Sequence, residues 1–202
     1  MINLNNIVRS IMARQSVLLV IPGTHDDKYT KYIKFLMLWW RLQRYVSIIH
    51  QIHWENPESF ASKLKKLSKR LMDLKSPSNT ISVIGISAGG SAAVNLLCLY
   101  PQLIYKVIDI CGPLRFNQDM EISSTSARAS LRLCEKNVSA LSKSIRSRIM
   151  TISAKFGDQV VPAISVPLKG AVNISFPSRG HKLTIALALT FFSNALSEFL
   201  NS

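Results

Sequence analysis

The amino-acid sequence predicts an α/β fold, in which a mostly parallel sheet of about six strands is flanked by helices. Short, continuous runs of apolar and β-branched residues predict strands that are covered on both faces, as parallel strands are. Segments with apolar residues at helical spacing alternate with these runs, and this order indicates right-handed crossover connections. The 202 residues, of which 48% are hydrophobic, suffice for a single domain with a sizeable core.

The predicted strands are short apolar runs that end at turn or loop residues. Pro22-Gly23 ends the first run, and Gly112-Pro113 ends the fourth. A continuous apolar run is typical of a strand buried on both faces. The strands are predicted at Ser16–Ile21, Arg44–Trp54, Ile81–Ile86, Tyr105–Cys111, Ile149–Ala154 and Val172–Phe176.

Helical spacing of apolar residues fills the intervals between the strands. Asn56 and Pro57 are typical of a helix start, and the apolar residues that follow recur at spacings of 4, 3, 4 and 3 from Phe60 to Leu74. Residues 1–15 predict an N-terminal helical extension that packs on the domain or contacts a membrane. The other predicted helices are Lys31–Gln43, a helix that ends near Tyr100, Ala127–Leu141 and Leu183–Leu200.

The chain is organised around the segment Gly85-Ile86-Ser87-Ala88-Gly89, which joins the third strand to a helix rich in small residues. A sharp strand–turn–helix connection would place Ser87 at its tip and force strained backbone angles on it. The neighbours two before and two after must then be small, as Gly85 and Gly89 are. This context gives the G-x-S-x-G pattern its meaning and predicts Ser87 as a nucleophile.

A serine hydroxyl needs a base to take its proton, and the base needs a group that orients its ring. His181 follows the last strand and is the predicted base. Asp158 follows the strand before it and is the predicted acid. The carboxyl ends of parallel strands share one edge of the sheet, so Ser87, Asp158 and His181 are expected to converge there. Asp109 is the alternative acid, but it lies inside an apolar strand pattern rather than in a loop after a strand.

The loop after the first strand is expected to complete the site. The backbone N–H of Ala88, directly after the nucleophile, is one predicted donor to the oxyanion, and the N–H of Thr24 is the other. Gly23 allows a close approach of the backbone, and His25 is a further candidate for the pocket.

These features resemble the α/β-hydrolase family. The resemblance rests on Gly85-Ile-Ser87-Ala-Gly89, on Pro22-Gly23-Thr24 in place of the usual His-Gly-X, on Asp158 in FGDQVVP and on His181 in RGHKL, and it extends from Ser16 to the C-terminus. The chain order Ser, Asp, His is that of the family. The resemblance implies a serine hydrolase with an acyl-enzyme intermediate, no cofactor and no metal. It also implies a minimal version of the fold, with residues 112–148 as a short lid at most.

Composition excludes several other classes of protein. The net charge of +14 implies weak attraction to anionic surfaces, but no basic-aromatic recognition motif indicates specific nucleic-acid binding. The three cysteines lack metal-ligand spacing and predict free thiols in a reducing, cytoplasmic setting. No secretory signal is visible, and no apolar run reaches the ~18 residues that a transmembrane helix needs.

The sequence therefore predicts cleavage of a carboxylic ester or thioester in a small-molecule acyl substrate. Two alternatives remain open at this point. One is acyl transfer or peptide cleavage by the same three residues. The other is a non-catalytic protein with a hydrolase-like fold that binds anions through its basic surface.

Overall fold

The computed structural model describes residues 15–118 and 120–202. This part of the chain contains a six-stranded sheet in the order β2-β1-β3-β4-β5-β6, and every neighbouring pair is parallel. The strands are β1 Gln15–Ile21, β2 Tyr45–Ile49, β3 Asn79–Ile86, β4 Val107–Ile110, β5 Ile149–Ala154 and β6 Val172–Phe176. The predicted α/β architecture is confirmed. The predicted N-terminal extension lies outside the described residues, except for Gln15, which begins β1.

Helices pack on both faces of the sheet. They are α1 Asp26–Leu36, α2 Leu38–Leu42, α3 Phe60–Leu74, α4 Ala88–Leu99, α5 Thr125–Ala140, α6 Lys143–Arg146, α7 His181–Leu189 and α8 Ser193–Asn201. Within the described ranges, no single helix is long and apolar enough to cross a membrane. The pair α7 and α8, bent by 63°, meets that test only when the two are taken together.

The core has two halves, one on each side of the sheet. Side chains alternate along β1, so that Val17, Leu19 and Ile21 pack with α3, α4 and α5. Leu18 and Val20 point to the other side and pack with α1, α2, α7 and α8. Because both faces are covered there, the central strands β1, β3, β4 and β5 are largely apolar, and this is the pattern that predicts them. The edge strands β2 and β6 are only partly buried.

Three elements differ most from the prediction. The single helix expected at Lys31–Gln43 begins at Asp26 and is divided at Met37 into α1 and α2. The strand expected at Arg44–Trp54 ends at Ile49, and the chain then turns into a loop from which the Trp54 ring stacks on Phe60, with centroids 6.1 Å apart. The single helix expected at Leu183–Leu200 is broken at Thr190, whose backbone leaves the helical region with φ −119° and ψ −90°. The Thr190 hydroxyl donates to the Ala186 carbonyl at 2.7 Å, a local bond that competes with helix continuation.

The segment 112–148 contributes a core helix as well as a wall of the site. Helix α5 buries its apolar side against α4, and the hydroxyls of Ser91 and Ser130 bond across the two helices at 2.8 Å. Met120 and Ile122, which precede α5, line a cleft at the carboxyl edge of the sheet.

Candidate active site

The turn between β3 and α4 holds Ser87 in a strained conformation. Its φ is 54° and its ψ is −125°, a region that non-glycine residues rarely occupy and that costs about 1–3 kcal/mol. A Cβ on Gly85 would lie 2.5 Å from the Gly89 carbonyl oxygen, and a Cβ on Gly89 would lie 2.0 Å from the Ile21 carbonyl oxygen. Both contacts are too short for any side chain, so the two glycines permit this turn. The Ser87 amide donates to the Ile110 carbonyl at 2.9 Å and fixes the turn to β4.

The loop after β1 lies against this turn. A Cβ on Gly23 would come within 2.7 Å of the Ser87 Cβ, so only glycine lets the loop approach so closely. Thr24, Ser87 and Ala88, the predicted nucleophile and oxyanion donors, line one cleft. Ala88 begins α4, and the first amides of a helix have no partner within the helix. An oxyanion in this cleft would therefore meet free N–H groups and the positive end of a helix dipole.

His181 and Asp158 form a hydrogen-bonded pair at the same edge of the sheet. The His181 Nδ1 lies 2.7 Å from the Asp158 Oδ2, and the two side chains are only 11% and 3% exposed. The other carboxylate oxygen, Oδ1, accepts hydrogen bonds from the amides of Val160 at 2.8 Å and Val161 at 3.1 Å. Burial raises the pKa of Asp158, but the hydrogen bond and positive charge of His181, with the two amides, outweigh it and lower the pKa below its usual value.

Two glycine-containing loops hold this pair in place. Gly157, with φ 98°, precedes Asp158, and Gly180, with φ 87°, precedes His181. Both values lie in the region that favours glycine. The Gly180 amide donates to the Gly157 carbonyl at 2.8 Å, and this bond ties the two loops together. Asp158 and His181 thus lie in the loops that follow the neighbouring strands β5 and β6, and a backbone hydrogen bond joins these loops.

The structure does not join all three predicted residues by hydrogen bonds. Among the described residues no hydrogen bond links Ser87 to His181, and His181 does not line the cleft that contains Ser87. Hydrogen bonds of this kind are often long before substrate binds and tighten in the complex.

Asp109, the alternative acid, lies elsewhere. Its side chain is fully buried in β4, and a Cβ on Gly90 would lie 1.9 Å from its Oδ1. Neither of its oxygens has a hydrogen-bond partner, and burial raises its pKa well above the usual value. The carboxylate that contacts the imidazole of His181 is that of Asp158.

His25 lies outside the residues that line the cleft. It caps the start of α1 with φ 58°, its side chain is 61% exposed, and its Nδ1 lies 3.7 Å from the Glu55 carboxylate. Gly23, the other residue expected near the pocket, contacts the Ser87 turn as described above.

Two groups of side chains in the described part of the chain bring metal-ligating atoms within 4.8 Å of one another. One is Cys111 with Asp158 and His181, and the other is Asp26 with Asp27 and His53. In the first group Asp158 and His181 already bond each other, and burial raises the pKa of the Cys111 thiol, which disfavours the thiolate that metals bind. In the second group Asp27 and His53 form an exposed ion pair at 3.1 Å.

Comparison with known proteins identifies the architecture. No protein-family model matches the sequence, and no curated protein matches it. A structure reported for the metagenome-derived lipolytic enzymes LipS and LipT matches 94% of this chain and 95% of its own, at 15% identity and a TM-score of 0.63. Est1E from Butyrivibrio proteoclasticus matches 93% of this chain and 88% of its own, at 12% identity and a TM-score of 0.66. The chain has the α/β-hydrolase fold. A thioesterase domain from the curacin biosynthetic pathway shares it over 94% of this chain and 92% of its own, at 13% identity and a TM-score of 0.64.

This α/β-hydrolase fold also positions residues that the sequence interpretation missed. Met120, Ile122, Val160 and Val161 line the cleft. The sequence contained a signal that Val160 and Val161 lie close to Asp158, because an Asp side chain commonly accepts hydrogen bonds from the backbone amides that follow it. Trp54 is the other omission: its indole Nε1 donates to the Pro22 carbonyl at 3.0 Å, directly before Gly23. Only the tertiary contact between distant loops reveals that role.

Proposed function

We propose that the protein is a serine hydrolase that cleaves a carboxylic ester or thioester. The observation that carries the proposal is the buried hydrogen bond between His181 and Asp158, which lies at the same sheet edge as the strained Ser87 turn. A His–Asp pair near an activated serine is the arrangement that acyl transfer requires. The similarity to lipolytic enzymes, esterases and a thioesterase domain supports the same chemistry.

In the proposed reaction Ser87 is the nucleophile. Its Oγ forms a bond to the carbonyl carbon of the substrate as His181 takes the hydroxyl proton at Nε2, and Asp158 holds the imidazole through Nδ1. The oxyanion that forms accepts hydrogen bonds from the amides of Thr24 and Ala88. The bond to the leaving alcohol or thiol then breaks, and His181 returns the proton to it. In the second half of the reaction, water gives a proton to His181 Nε2 and forms a bond to the acyl carbon. The bond from that carbon to Ser87 Oγ then breaks, the carboxylic acid leaves, and His181 returns the proton to Ser87.

The cleft supports an acyl group of small or moderate size. Its cavity volume is about 60 Å³, and the cleft is open to solvent, so that a longer acyl group would extend out of it. Seven of its twelve lining residues are apolar: Ala88, Pro113, Met120, Ile122, Ala127, Val160 and Val161. A hydrocarbon acyl chain is therefore the part of the substrate that fits this surface best.

The proposed setting is a reducing compartment such as the cytoplasm. The three cysteines of the chain, Cys98, Cys111 and Cys134, are all unpaired. Free thiols of this kind are typical of proteins kept away from oxidising environments.

The test is replacement of Ser87 by alanine. The wild-type protein is expected to hydrolyse p-nitrophenyl acetate or butyrate and to react covalently with a fluorophosphonate probe. Ser87→Ala should abolish labelling and lower kcat/KM by at least ~10³-fold. Ser91→Ala is the matched control, because Ser91 lines the same cleft but bonds Ser130 on the neighbouring helix.

The outcomes separate the proposal from its alternatives. Labelling that persists in Ser87→Ala would show that another residue is the nucleophile. A wild-type protein that neither labels nor turns over any ester would favour the non-catalytic alternative. Product analysis with added alcohols, thiols and amines distinguishes hydrolysis from acyl transfer, and a peptide substrate series tests peptidase activity.

A further inference from the structure

The outer surface of α1 and α2 exposes large apolar side chains that the catalytic proposal does not use. We call this surface the α1–α2 patch and define it by Tyr32, Phe35, Leu38, Trp39 and Leu42, together with Phe191 from the turn between α7 and α8. Leu42 is 81% exposed and Phe191 is 75% exposed. The rings of Trp39 and Phe191 lie 6.2 Å apart, so the two elements form one surface. Exposed apolar residues in a continuous group mark interaction sites.

The spacing of these residues shows that they share one side of the helical segment. Phe35, Leu38, Trp39 and Leu42 follow the pattern i, i+3, i+4, i+7, while Ile33, Leu36 and Trp40 between them point into the core. The Trp40 indole donates to the Leu189 carbonyl at 3.1 Å and anchors the segment to α7. The patch is therefore the outward side of a firmly packed layer.

Basic side chains predominate in the helical segment that carries the patch, whose acidic residues, Asp26 and Asp27, are confined to the first turn of α1. Residues 28–44 contain no Asp or Glu. The exposed basic residues of this stretch are Lys28, Lys31, Lys34, Arg41 and Arg44. Aromatic and aliphatic side chains within a basic rim are the composition of helices that lie in the interface of an anionic bilayer.

Charge decides between the possible occupants of the patch. A second copy of this chain would bring the same basic rim and a net charge of +14 against the first. The N-terminal residues 1–14 carry Arg9 and Arg14 and no acidic residue, so they repel the rim as well. An anionic lipid surface complements the rim and accepts the apolar side chains, and each basic residue near such a surface strengthens binding.

We propose that the α1–α2 patch docks the protein on the surface of a bilayer that contains anionic phospholipid. The cleft remains free in this arrangement, because most of its lining comes from α4, α5, Pro113 and residues 120–123, and α4 and α5 pack on the face of the sheet opposite to α1 and α2. The proposal does not depend on the proposed hydrolase activity.

The experiment measures co-sedimentation of the full chain with vesicles. One preparation contains equal parts of phosphatidylglycerol and phosphatidylcholine, and the other contains phosphatidylcholine alone. We expect binding to the first preparation only, with weakening as salt is added. Phe35→Ser with Trp39→Ser should weaken binding by about tenfold or more. Lys31→Glu with Lys34→Glu should weaken it at least as much.

Matched controls come from the opposite layer. Lys65→Glu with Lys69→Glu on α3 changes the net charge by the same amount, and both residues are exposed. Met72→Ser with Leu99→Ser removes exposed apolar side chains outside the patch. Each control should stay within about threefold of the wild type, because general attraction at a distance is screened by salt. Urea unfolding checks that every variant is folded.

The remaining outcomes overturn the proposal. If the α3 charge variant weakens binding as much as the α1 variant, net charge rather than the patch is responsible. If the wild type binds neither vesicle preparation, the patch does not bind lipid. If light scattering shows a dimer that Phe35→Ser with Trp39→Ser dissociates, a second copy of the chain covers the patch.

Discussion

At the scale of single residues, the environment of Asp158 explains how a carboxylate can orient His181 without becoming neutral itself. The side chain is almost fully buried, which alone would favour its protonated form. The pKa of Asp158 is nevertheless below its ordinary value, because His181 and the amides of Val160 and Val161 all donate to the carboxylate. The folded structure therefore stabilises the ionised carboxylate, and replacing this carboxylate by a neutral group should lower both stability and activity.

We expect Asp158→Asn to lower kcat for ester hydrolysis by ~10²–10⁴-fold, because an amide cannot hold the imidazole in the tautomer that accepts a proton at Nε2. Steady-state kinetics of the two proteins measures this loss.

The difference in stability between the wild type and Asp158→Asn should also change with pH in a defined direction. The pKa of Asp158 is lower in the folded state than in the unfolded state, so its contribution is present above the ordinary pKa and is lost as pH falls through the folded pKa. Urea unfolding of both proteins at several pH values should show a stability gap that closes in acid. A gap of constant size would contradict this account of the carboxylate.

At the scale of elements, the loop after β2 supports the candidate oxyanion loop. The Trp54 indole donates to the Pro22 carbonyl at 3.0 Å, and the Asp26 carboxylate accepts the His53 amide at 2.7 Å. Lys63, buried on α3, donates to the carbonyls of His53 and Trp54 at 2.7 and 3.2 Å. The loop after β2 is thus fixed to α3 on one side and to the loop that carries Thr24 on the other. Trp54 is a positioning residue in this arrangement.

Trp54→Phe should lower kcat of ester hydrolysis by ~10–10²-fold with little change in KM, because a small displacement of the Thr24 amide affects the oxyanion more than it affects substrate binding. Trp40→Phe is the matched control. Trp40 is equally buried and also loses one indole hydrogen bond, to the Leu189 carbonyl, but it lies in the other layer. Each variant should lose about 1–3 kcal/mol of stability. Equal effects of both substitutions on kcat would show that Trp54 acts through stability alone.

The elements that the sequence predicted best are those whose pattern has one physical cause. Strands β5 and β6 have the predicted bounds, Ile149–Ala154 and Val172–Phe176. Every residue of β5 is buried, which makes its run continuous, whereas the edge strand β6 is mostly exposed. No Gly or Pro lies near Thr190 in the sequence, so no helix-breaking residue indicates the break. The local hydrogen bond of the Thr190 hydroxyl is accompanied there by a tertiary contact, in which Phe192 packs on Phe176 with ring centroids 4.4 Å apart. Periodicity along the chain carries no information about such a contact.

The same distinction applies to the candidate site. Strand ends and glycines identified the Ser87 turn, Asp158 and His181 from local pattern, and the hydrogen bond between the last two agrees with the expected acid. The walls of the cleft could not be predicted, since Met120 and Val161 become neighbours only when the segments after β4 and β5 pack together. Chain order shows which strand ends share an edge, but it does not show which side chains then touch.

At the scale of the whole molecule, two apolar layers enclose a sheet that also contains a carboxyl group at its centre. Asp26, Lys63, Lys106 and Asp109 are the buried charged residues in the described part of the chain. The polar atoms of the first three make hydrogen bonds, whereas both oxygens of Asp109 lack a partner. Burial raises the pKa of Asp109 well above its usual value, and the neighbouring Gly112 amide, which does not meet hydrogen-bond geometry, offsets only part of this rise. Burial therefore favours the protonated form of this group in the folded protein.

This preference for the protonated form affects how the stability of the entire fold depends on pH. The unfolded chain releases the Asp109 proton above the ordinary pKa, while the folded chain retains it, so stability is greatest below that pKa and declines as pH rises, with a limiting slope of about 1.4 kcal/mol per pH unit. Asp109→Asn has nearly the same shape and does not titrate. We expect its free energy of unfolding in urea to rise relative to that of the wild type as the pH increases from weakly acidic to weakly alkaline. Asp73→Asn, at an exposed position on α3, is the control and should show no such gain. Parallel pH dependence of Asp109→Asn and the wild type would mean that Asp109 is ionised in the folded protein and that an unrecognised donor stabilises it.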